Sequence, residues 1–459
     1  MRAAQPLSSM TPHPPGPRGL PYLGSLPAYR RDAAQFLTRT RYEYGPVAKL
    51  RMGPYTFTLA TGSAAVQHVL IRNKENYCRG QLYKQFELVM GRGLLTMDDD
   101  EWRPHRRVMQ PAFLRSALAG YFPSVRERTE QLLMRWERHA LDGTPVDLVA
   151  ECLRLASAVI MDVLFGFDID DRAARIKEVV DQSIDVMFPH GTFQEMLPLW
   201  VPTPRNRRVK RNREQLLELA DDVARAPAGA GEMTLDSLLR AAARRGEEGW
   251  SREELRDEIL TIYLAGHETT ATAMAWSLIS VANEPAVRER LSEEVDRVVG
   301  QRSVEYADLE SLPYTKAVID ETLRLYPPIW LFPRDAINDD VMDGYRVDAK
   351  TSVLLSPLLS HRDPEVWSNP EAFDPERFLA PSGRPPQGSY IPFGLGARQC
   401  VGNAVALVEL QAVLAMITQR YRLEILPSSM LRYGDTLISL RPMGDVFARV
   451  HVRDGNGVA

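Results

Sequence analysis

Apolar residues recur every three to four positions through much of this chain. The stretches "VRERTEQLLMRWERHA" (125–140), "RNREQLLELADDVAR" (211–225) and "PAVRERLSEEVDRVV" (285–299) each place one apolar stripe against a charged face, which predicts amphipathic helices. Two other stretches are apolar almost all round. "WSREELRDEILTIYLAGHETTATAMAWSLISVANEP" (250–285) opens with a capping box of Ser251 and Glu254, Trp250 can staple onto Leu255, and Pro285 marks its end. From Ile259 to Val281 nearly every residue is apolar, so this helix should cross the core. "GNAVALVELQAVLAMITQRY" (402–421) has the same character. Alternation with period two is rarer. "PVAKLRMGPYTFTLA" (46–60) reads as a hairpin around Gly-Pro, and "MDGYRVDAKTSVLL" (342–355), "LEIL" (423–426) and "TLISLRP" (436–442) read as extended.

The first 22 residues are proline-rich and should run extended, pinned to the body that follows. No internal repeat or domain-sized linker interrupts the rest; "ARAPAGAGEM" (224–233) is a surface loop. The expected architecture is a single mainly α domain over 23–459, with small peripheral sheets in the manner of α+β folds.

Charge and sulfur narrow the classes. The formal net charge is -4, against a generally basic, nucleic-acid-binding surface. The run "PRNRRVKRNRE" (204–214) has six basic residues but no interleaved aromatic, so it reads as a solvated helix face. No stretch reaches the length of an uninterrupted membrane span, and no secretory leader is visible. Three scattered cysteines fit a reducing compartment, so a soluble cytoplasmic protein is expected.

Cys78 and Cys152 read as small buried hydrophobes. Cys400, in "PFGLGARQCVGNA" (392–404), does not. It stands just before the apolar helix, where the dipole and free N–H groups favour a thiolate, a strong soft ligand for iron. Gly394, Gly396 and Gly402 let the backbone fold tightly round the sulfur and let a flat cofactor lie against it. Phe393 can shield one side, and Arg398 is spaced to meet a carboxylate on that cofactor.

Phe393-x-x-Gly396-x-Arg398-x-Cys400-x-Gly402, with Ala406 following, resembles at each fixed position the haem-binding signature of the cytochrome P-450 family. The resemblance implies haem b (iron protoporphyrin IX), with Cys400 as proximal iron ligand and Arg398 on a propionate. It extends from "PPGPRGLPYLG" to the final strands.

Within the long helix, "AGHETT" (265–270) puts Gly266, Glu268 and Thr269 where an apolar helix would not want them. Splitting iron-bound dioxygen needs protons at the outer oxygen, and a thiolate opposite favours the cleavage. A hydroxyl beside a carboxylate can relay them, so Thr269 and Glu268 take the catalytic roles. Ala265 and Gly266 are expected to wall the haem, the glycine leaving room for oxygen. The stretch also resembles the family's oxygen-activation motif, with Glu where many members have Asp.

Other positions follow from the resemblance. Glu321 and Arg324, one helical turn apart in "VIDETLRLYPP", with Arg377 of "FDPERF", resemble a structural triad that stiffens the proximal side. Trp102, Arg106, Arg334 and His361 stand where haem-edge and propionate partners are expected. Arg103 and Arg107 would face outward, toward an acidic electron donor. The distal pocket maps onto Leu82, Phe86 and Met90, the segment 188–200, Trp330, Leu331 and Phe332, and Leu437 and Ile438. These are apolar and aromatic, which implies a lipophilic substrate, a terpenoid or other secondary metabolite, held mainly by shape.

The function these readings support is a monooxygenase using O2, with electrons from a separate ferredoxin and NAD(P)H-dependent ferredoxin reductase. Two other readings stand beside it: a peroxide-driven fatty-acid hydroxylase, which the Glu268–Thr269 pair argues against, and a non-catalytic haem-thiolate gas sensor or carrier.

Overall fold

The computed structural model describes residues 11–166, 200–225, 235, 237, 239, 241, 249–380, 385–427, 439–442 and 444–453. Its helices of eight residues or more, in chain order, are α1 (Ala33–Tyr44), α2 (Tyr83–Met90), α3 (Asp99–Met109), α4 (Arg115–Asp142), α5 (Leu148–Phe165), α6 (Pro204–Arg225), α7 (Arg252–Asn283), α8 (Pro285–Val298), α9 (Pro313–Leu325) and α10 (Asn403–Arg420). Its strands are β1 (Val47–Met52), β2 (Tyr55–Ala60), β3 (Tyr77–Cys78), β4 (Val146–Asp147), β5 (Phe332–Ala336), β6 (Asp340–Met342), β7 (Tyr345–Val347), β8 (Ser352–Leu355), β9 (Tyr421–Ile425) and β10 (Phe447–Val452).

The long helix α7 starts and stops for the reasons its sequence gives. Ser251 Oγ accepts from the Glu254 N–H at 3.2 Å, while the Glu254 carboxylate accepts from the Ser251 N–H at 2.7 Å. At the other end Glu284 leaves helical geometry, as the residue before a proline is driven to do. The main hydrophobic cluster gathers around α7, with α4, α5 and α10 contributing heavily. α7 packs most extensively on α5 and also meets α6, α9 and α10.

The sheets are peripheral. The largest has the order β1-β2-β8-β5-β3, with β2 and β8 parallel and the other pairs antiparallel. The hairpin over 46–60 is present in register Val47 to Ala60. The β3–β5 register sets Cys78 opposite Asp335, which brings the chain at Arg79 next to Arg334. The proline-rich start is held to the body: the Lys49 N–H donates to Pro15 O and the Arg346 N–H to Pro12 O, each at 2.8 Å.

Candidate functional site: a thiolate loop facing a window in the long helix

The loop before α10 folds back on itself. The Cys400 N–H donates to Phe393 O at 2.9 Å, and Gly394 and Gly396 hold φ of 73° and 75°. Only glycine takes that conformation freely. A Cβ on Gly396 would lie 2.3 Å from Leu70 O, whereas one on Gly394 would meet nothing within 4 Å. One glycine therefore serves close backbone packing, and the other borders open space. Gly402 is the N-cap of α10, and the sulfur receives backbone N–H groups from Gly402 and Asn403. Burial pushes the Cys400 thiol up; those N–H groups and Arg106 oppose the rise.

Cys400 retains exposed surface although it lies deep in the protein, so that surface faces an internal space. Two core elements also keep accessible positions within otherwise buried runs. From Asp257 to Val281, α7 is buried at every residue except Ala265, Gly266 and Thr269. In α10, residues 403–408 are partly accessible and 409–419 are buried. These two helices pack on each other. Phe393 is partly buried against the main cluster.

A cationic corner closes one side. Arg398 gives Nε and Nη2 to Asp99 Oδ1 at 3.0 and 2.7 Å and stacks over the Trp102 ring at 4.2 Å. Arg106 donates to Gln399 O at 3.1 Å and faces the same indole at 5.9 Å. Arg334, on β5, and Arg79, just past β3, both donate to the Tyr83 hydroxyl, at 3.2 and 3.0 Å. Burial alone would raise the Tyr83 phenol, but the two guanidiniums outweigh it and bring it down to about 8. Burial and the charge of Arg79 push Arg398 down to about 10 against the pull of Asp99, with Arg334 adding to the fall. Two guanidinium nitrogens here, Arg398 Nη1 and Arg79 Nε, are buried with no partner. Buried donors without acceptors are costly, and this corner has more cations than its carboxylates balance. An anionic group with several acceptor oxygens would complete it.

Arg79 and Tyr83 were not foreseen from sequence. In "NYCRGQLY" Arg79 has the look of a surface cation; only the β3–β5 register reveals its position. Asp99 reads in sequence as one of several first-turn acids favoured by the helix dipole.

Several expectations are corrected. His361 is fully buried, its Nδ1 meets Arg324 O at 3.2 Å, and its Nε2 accepts from the Ile391 N–H at 2.8 Å. Both ring nitrogens are used, so it has none left for a carboxylate at the haem edge. Gly266 does not serve as clearance for oxygen: a Cβ there would lie 2.1 Å from Ile160 Cδ1, so its missing side chain lets α5 approach α7. Trp330 and Leu331 are core, joined with Leu37, Leu50 and Leu59; Phe332 packs in a neighbouring cluster, and Met90 in the main one. Residues lining an open interior would keep accessible area, and these keep almost none. Leu82 and Phe86 keep some. Leu437, Ile438 and residues 188–199 lie outside the described residues, and Trp200 is exposed at the surface.

Thr269 Oγ1 donates to Ala265 O at 2.8 Å, one turn back, which leaves its lone pairs toward the window as acceptors. Glu268 is buried beside it. The triad is fully formed. Arg324 pairs with Glu321 through Nε at 2.7 Å and Nη2 at 2.8 Å, and Arg377 Nε reaches Glu321 Oε1 at 3.0 Å. Arg324 also donates to His361 O, Pro370 O and Ala372 O, clamping the loop that follows to α9.

The sequence pattern of the family described as Cytochrome P450 matches residues 14–443. This chain is a member of the cytochrome P450 family. Among curated relatives it is 32% identical, over 94% of both chains, to cyclooctatin synthase of Streptomyces melanosporofaciens. It is also 32% identical, over 90% of both, to cyclooctat-9-en-7-ol 5-monooxygenase of the same organism. Among solved structures, the retinoic acid-bound cyanobacterial CYP120A1 superposes with a TM-score of 0.83 at 25% identity, covering 96% of this chain and 100% of that one. The P450 is a haem-thiolate monooxygenase, acting with O2 and redox partners on lipophilic molecules. Among the described residues no helix is long and apolar enough to cross a membrane.

Proposed function

We propose that this P450 hydroxylates or epoxidises a terpenoid, using haem b held by Cys400 and fed electrons by a ferredoxin and its reductase. The observation that carries the cofactor assignment is the pair of orphaned guanidinium nitrogens on Arg398 and Arg79, in a corner of four arginines beside the thiolate loop. Its donor set fits two propionates. When bound, the haem supplies the iron at which dioxygen is activated. This chain's residues do the rest. Cys400 would be the iron ligand, the Gly402 and Asn403 N–H groups and Arg106 favouring its thiolate against the burial that pushes the thiol up, and Arg398, Arg79, Arg334 and Arg106 would hold the carboxylates, with Arg398 over the Trp102 ring. Ala265 and Thr269 keep accessible surface within the buried run of α7; with its own proton given to Ala265 O, the Thr269 hydroxyl would serve as an acceptor, and the Glu268 carboxyl, buried next to it, would relay protons.

The terpenoid reading is supported by its relatives, one of which is a cyclooctat-9-en-7-ol 5-monooxygenase. It is tested with the purified holoprotein. Reduction under carbon monoxide should give the red-shifted Soret band of thiolate-bound haem. A panel of cyclic terpenes, terpene alcohols and fatty acids is then screened for water loss from the iron, and binders are followed to product with a surrogate ferredoxin system. Terpenoid binding with a mono-oxygenated product carries the proposal. A normal carbon monoxide spectrum with turnover of fatty acids alone overturns the substrate, and an unshifted band overturns the ligand.

A further inference from the structure

Behind the thiolate loop, two segments far apart in sequence are joined by one carboxylate. Residues His68–Arg72 form a π-helical turn, closed by the Asn73 N–H donating to His68 O at 2.8 Å. Such turns are rare and gather at functional sites. Asp340, buried at the start of β6, accepts at Oδ2 from His68 Nε2 at 2.7 Å, from Asn73 Nδ2 at 3.0 Å and from the Tyr77 hydroxyl at 2.6 Å. Its Oδ1 accepts from the Val341 N–H at 2.8 Å. His68 and Asn73 are the two residues that the π-type bond joins, so a single oxygen pins both ends of the turn. Burial alone would raise the Asp340 carboxyl, but the hydrogen bonds from His68, Tyr77 and Asn73 outweigh it and bring it down to about 2. The acceptor is therefore ionised near neutral pH.

The middle of the turn meets the loop that carries Cys400. A Cβ on Gly396 would lie 2.3 Å from Leu70 O and 3.7 Å from Ile71 Cγ1. Leu395 packs on the cluster that holds Val69, Leu70 and Tyr77. From there Gly396–Arg398 makes a tight 3-10 turn, and the Gln399 N–H donates to Gly396 O at 3.1 Å, one residue before Cys400. A shift of the π-helical turn therefore presses on backbone, not on a side chain that could swing aside. Close-packed interiors transmit such strain.

We propose that Asp340 is a positioning residue for the haem thiolate: by pinning the π-helical turn it holds the Leu70 carbonyl against Gly396, and so sets the backbone from which Arg398 and Cys400 project. Asp340 acts through the turn and takes no part in the chemistry. Its role rests on Cys400 being the iron ligand; the mechanical link from turn to loop does not.

Amide hydrogen exchange on the whole holoprotein reads that link directly. In Asp340→Ala, peptides over 68–73 and over 393–402 should exchange about tenfold or more faster together, while β9 and β10 keep the parent rate. Under carbon monoxide the reduced variant should show a larger share of unshifted Soret band than the parent. Asn73→Ala removes one donor and leaves the carboxylate; it should give the same pattern to a smaller degree, and serves where Asp340→Ala does not fold. His68→Gln keeps a donor at the end of the side chain and should stay close to the parent, whereas His68→Leu should follow Asp340→Ala. Faster exchange confined to 68–73, equal acceleration in β9 and β10, or an effect of His68→Gln as large as that of His68→Leu would each overturn the proposal. A parent without the red-shifted band would fail the Cys400 assignment and with it the role in the haem site, while the exchange rates still show whether the turn holds the loop.

Discussion

Arg398 gives two donors to a single oxygen of Asp99 and keeps its third nitrogen, Nη1, buried with no partner. Asp99 thus occupies part of the cation proposed to hold a propionate, and the two residues should respond differently to neutralisation. If Arg398 holds a propionate as proposed, Arg398→Gln removes a charged hydrogen bond to the cofactor, worth about 1.5–3 kcal/mol. Transfer of haem to apomyoglobin should speed up about tenfold or more. Asp99→Asn leaves the guanidinium in place and should not accelerate transfer. Equal acceleration in both variants would mean that Asp99 supports the cofactor directly.

Gly266 and Ile160 are a packing pair. In Gly266→Ala the added methyl would fall 2.1 Å from Ile160 Cδ1, inside any real contact distance. The helices must separate or Ile160 must shift, at about 1–3 kcal/mol of stability. Ile160→Ala should restore much of the loss, which a double-mutant cycle by urea unfolding measures as a coupling of opposite sign to the single effects. Additive losses would show that the glycine is needed for another reason.

His361 lies within the triad's network, and its ring should report on acid stability. Burial pushes the imidazole down to about 3, with the Arg324 and Arg362 charges adding to the fall and backbone bonding opposing it. The folded protein holds the ring neutral, while the unfolded chain protonates it near pH 6.5. Between about pH 6.5 and about 3 the unfolded state binds the extra proton, so this contribution to stability is present above pH 6.5 and is lost as the pH falls through that window. His361→Gln, which can still bond at one position, should unfold with a flatter acid limb. An unchanged limb would remove the ring from the account.

Glu409 acts at the other end of the scale. Its carboxyl is buried in α10 and pushed up to about 8, and Oε1 has no partner. Here the folded state retains a proton that the unfolded state releases near its ordinary value of 4.5. Stability therefore falls as the pH rises from about 4.5 to about 8, by up to about 1.4 kcal/mol per pH unit. Glu409→Gln, neutral throughout, should flatten that limb and melt higher than the parent at pH 8.5. A parent that melts equally well at pH 6 and pH 8.5 would contradict the shift.

Much of this was legible because it is written in local chemistry. The Cys400 loop, the capping box of α7 and the Glu321–Arg324 pair are all set by residues within a few positions of each other, and each is found in place. What escaped depends on register and on directions across the fold. Arg79 reaches the cationic corner only because β3 pairs with β5, a contact between residues more than 250 positions apart. Gly266 sits in a motif that suggests the iron side, but its bare face points at α5, and sequence spacing does not say which neighbour a helix turns toward. His361 followed an expected position without any sign that both ring nitrogens would be taken by backbone.

Thr269 is the residue whose hydroxyl most directly divides structure from chemistry. At rest its proton is spent on Ala265 O, so it meets the window as an acceptor. A purely structural threonine would matter for helix α7 alone, and Thr269→Ala would change stability by a few tenths of a kcal/mol with catalysis intact. If it positions a proton, Thr269→Ala should still consume NADPH but give less product per electron pair and more hydrogen peroxide. Thr269→Ser keeps the hydroxyl and should recover most of the coupling, and Thr269→Val, with the same shape and no oxygen, should not. The ratio of product to NADPH across these variants, measured with the substrate identified by the screen, decides it. Equal coupling in all of them would leave the hydroxyl with its helical bond and no catalytic part.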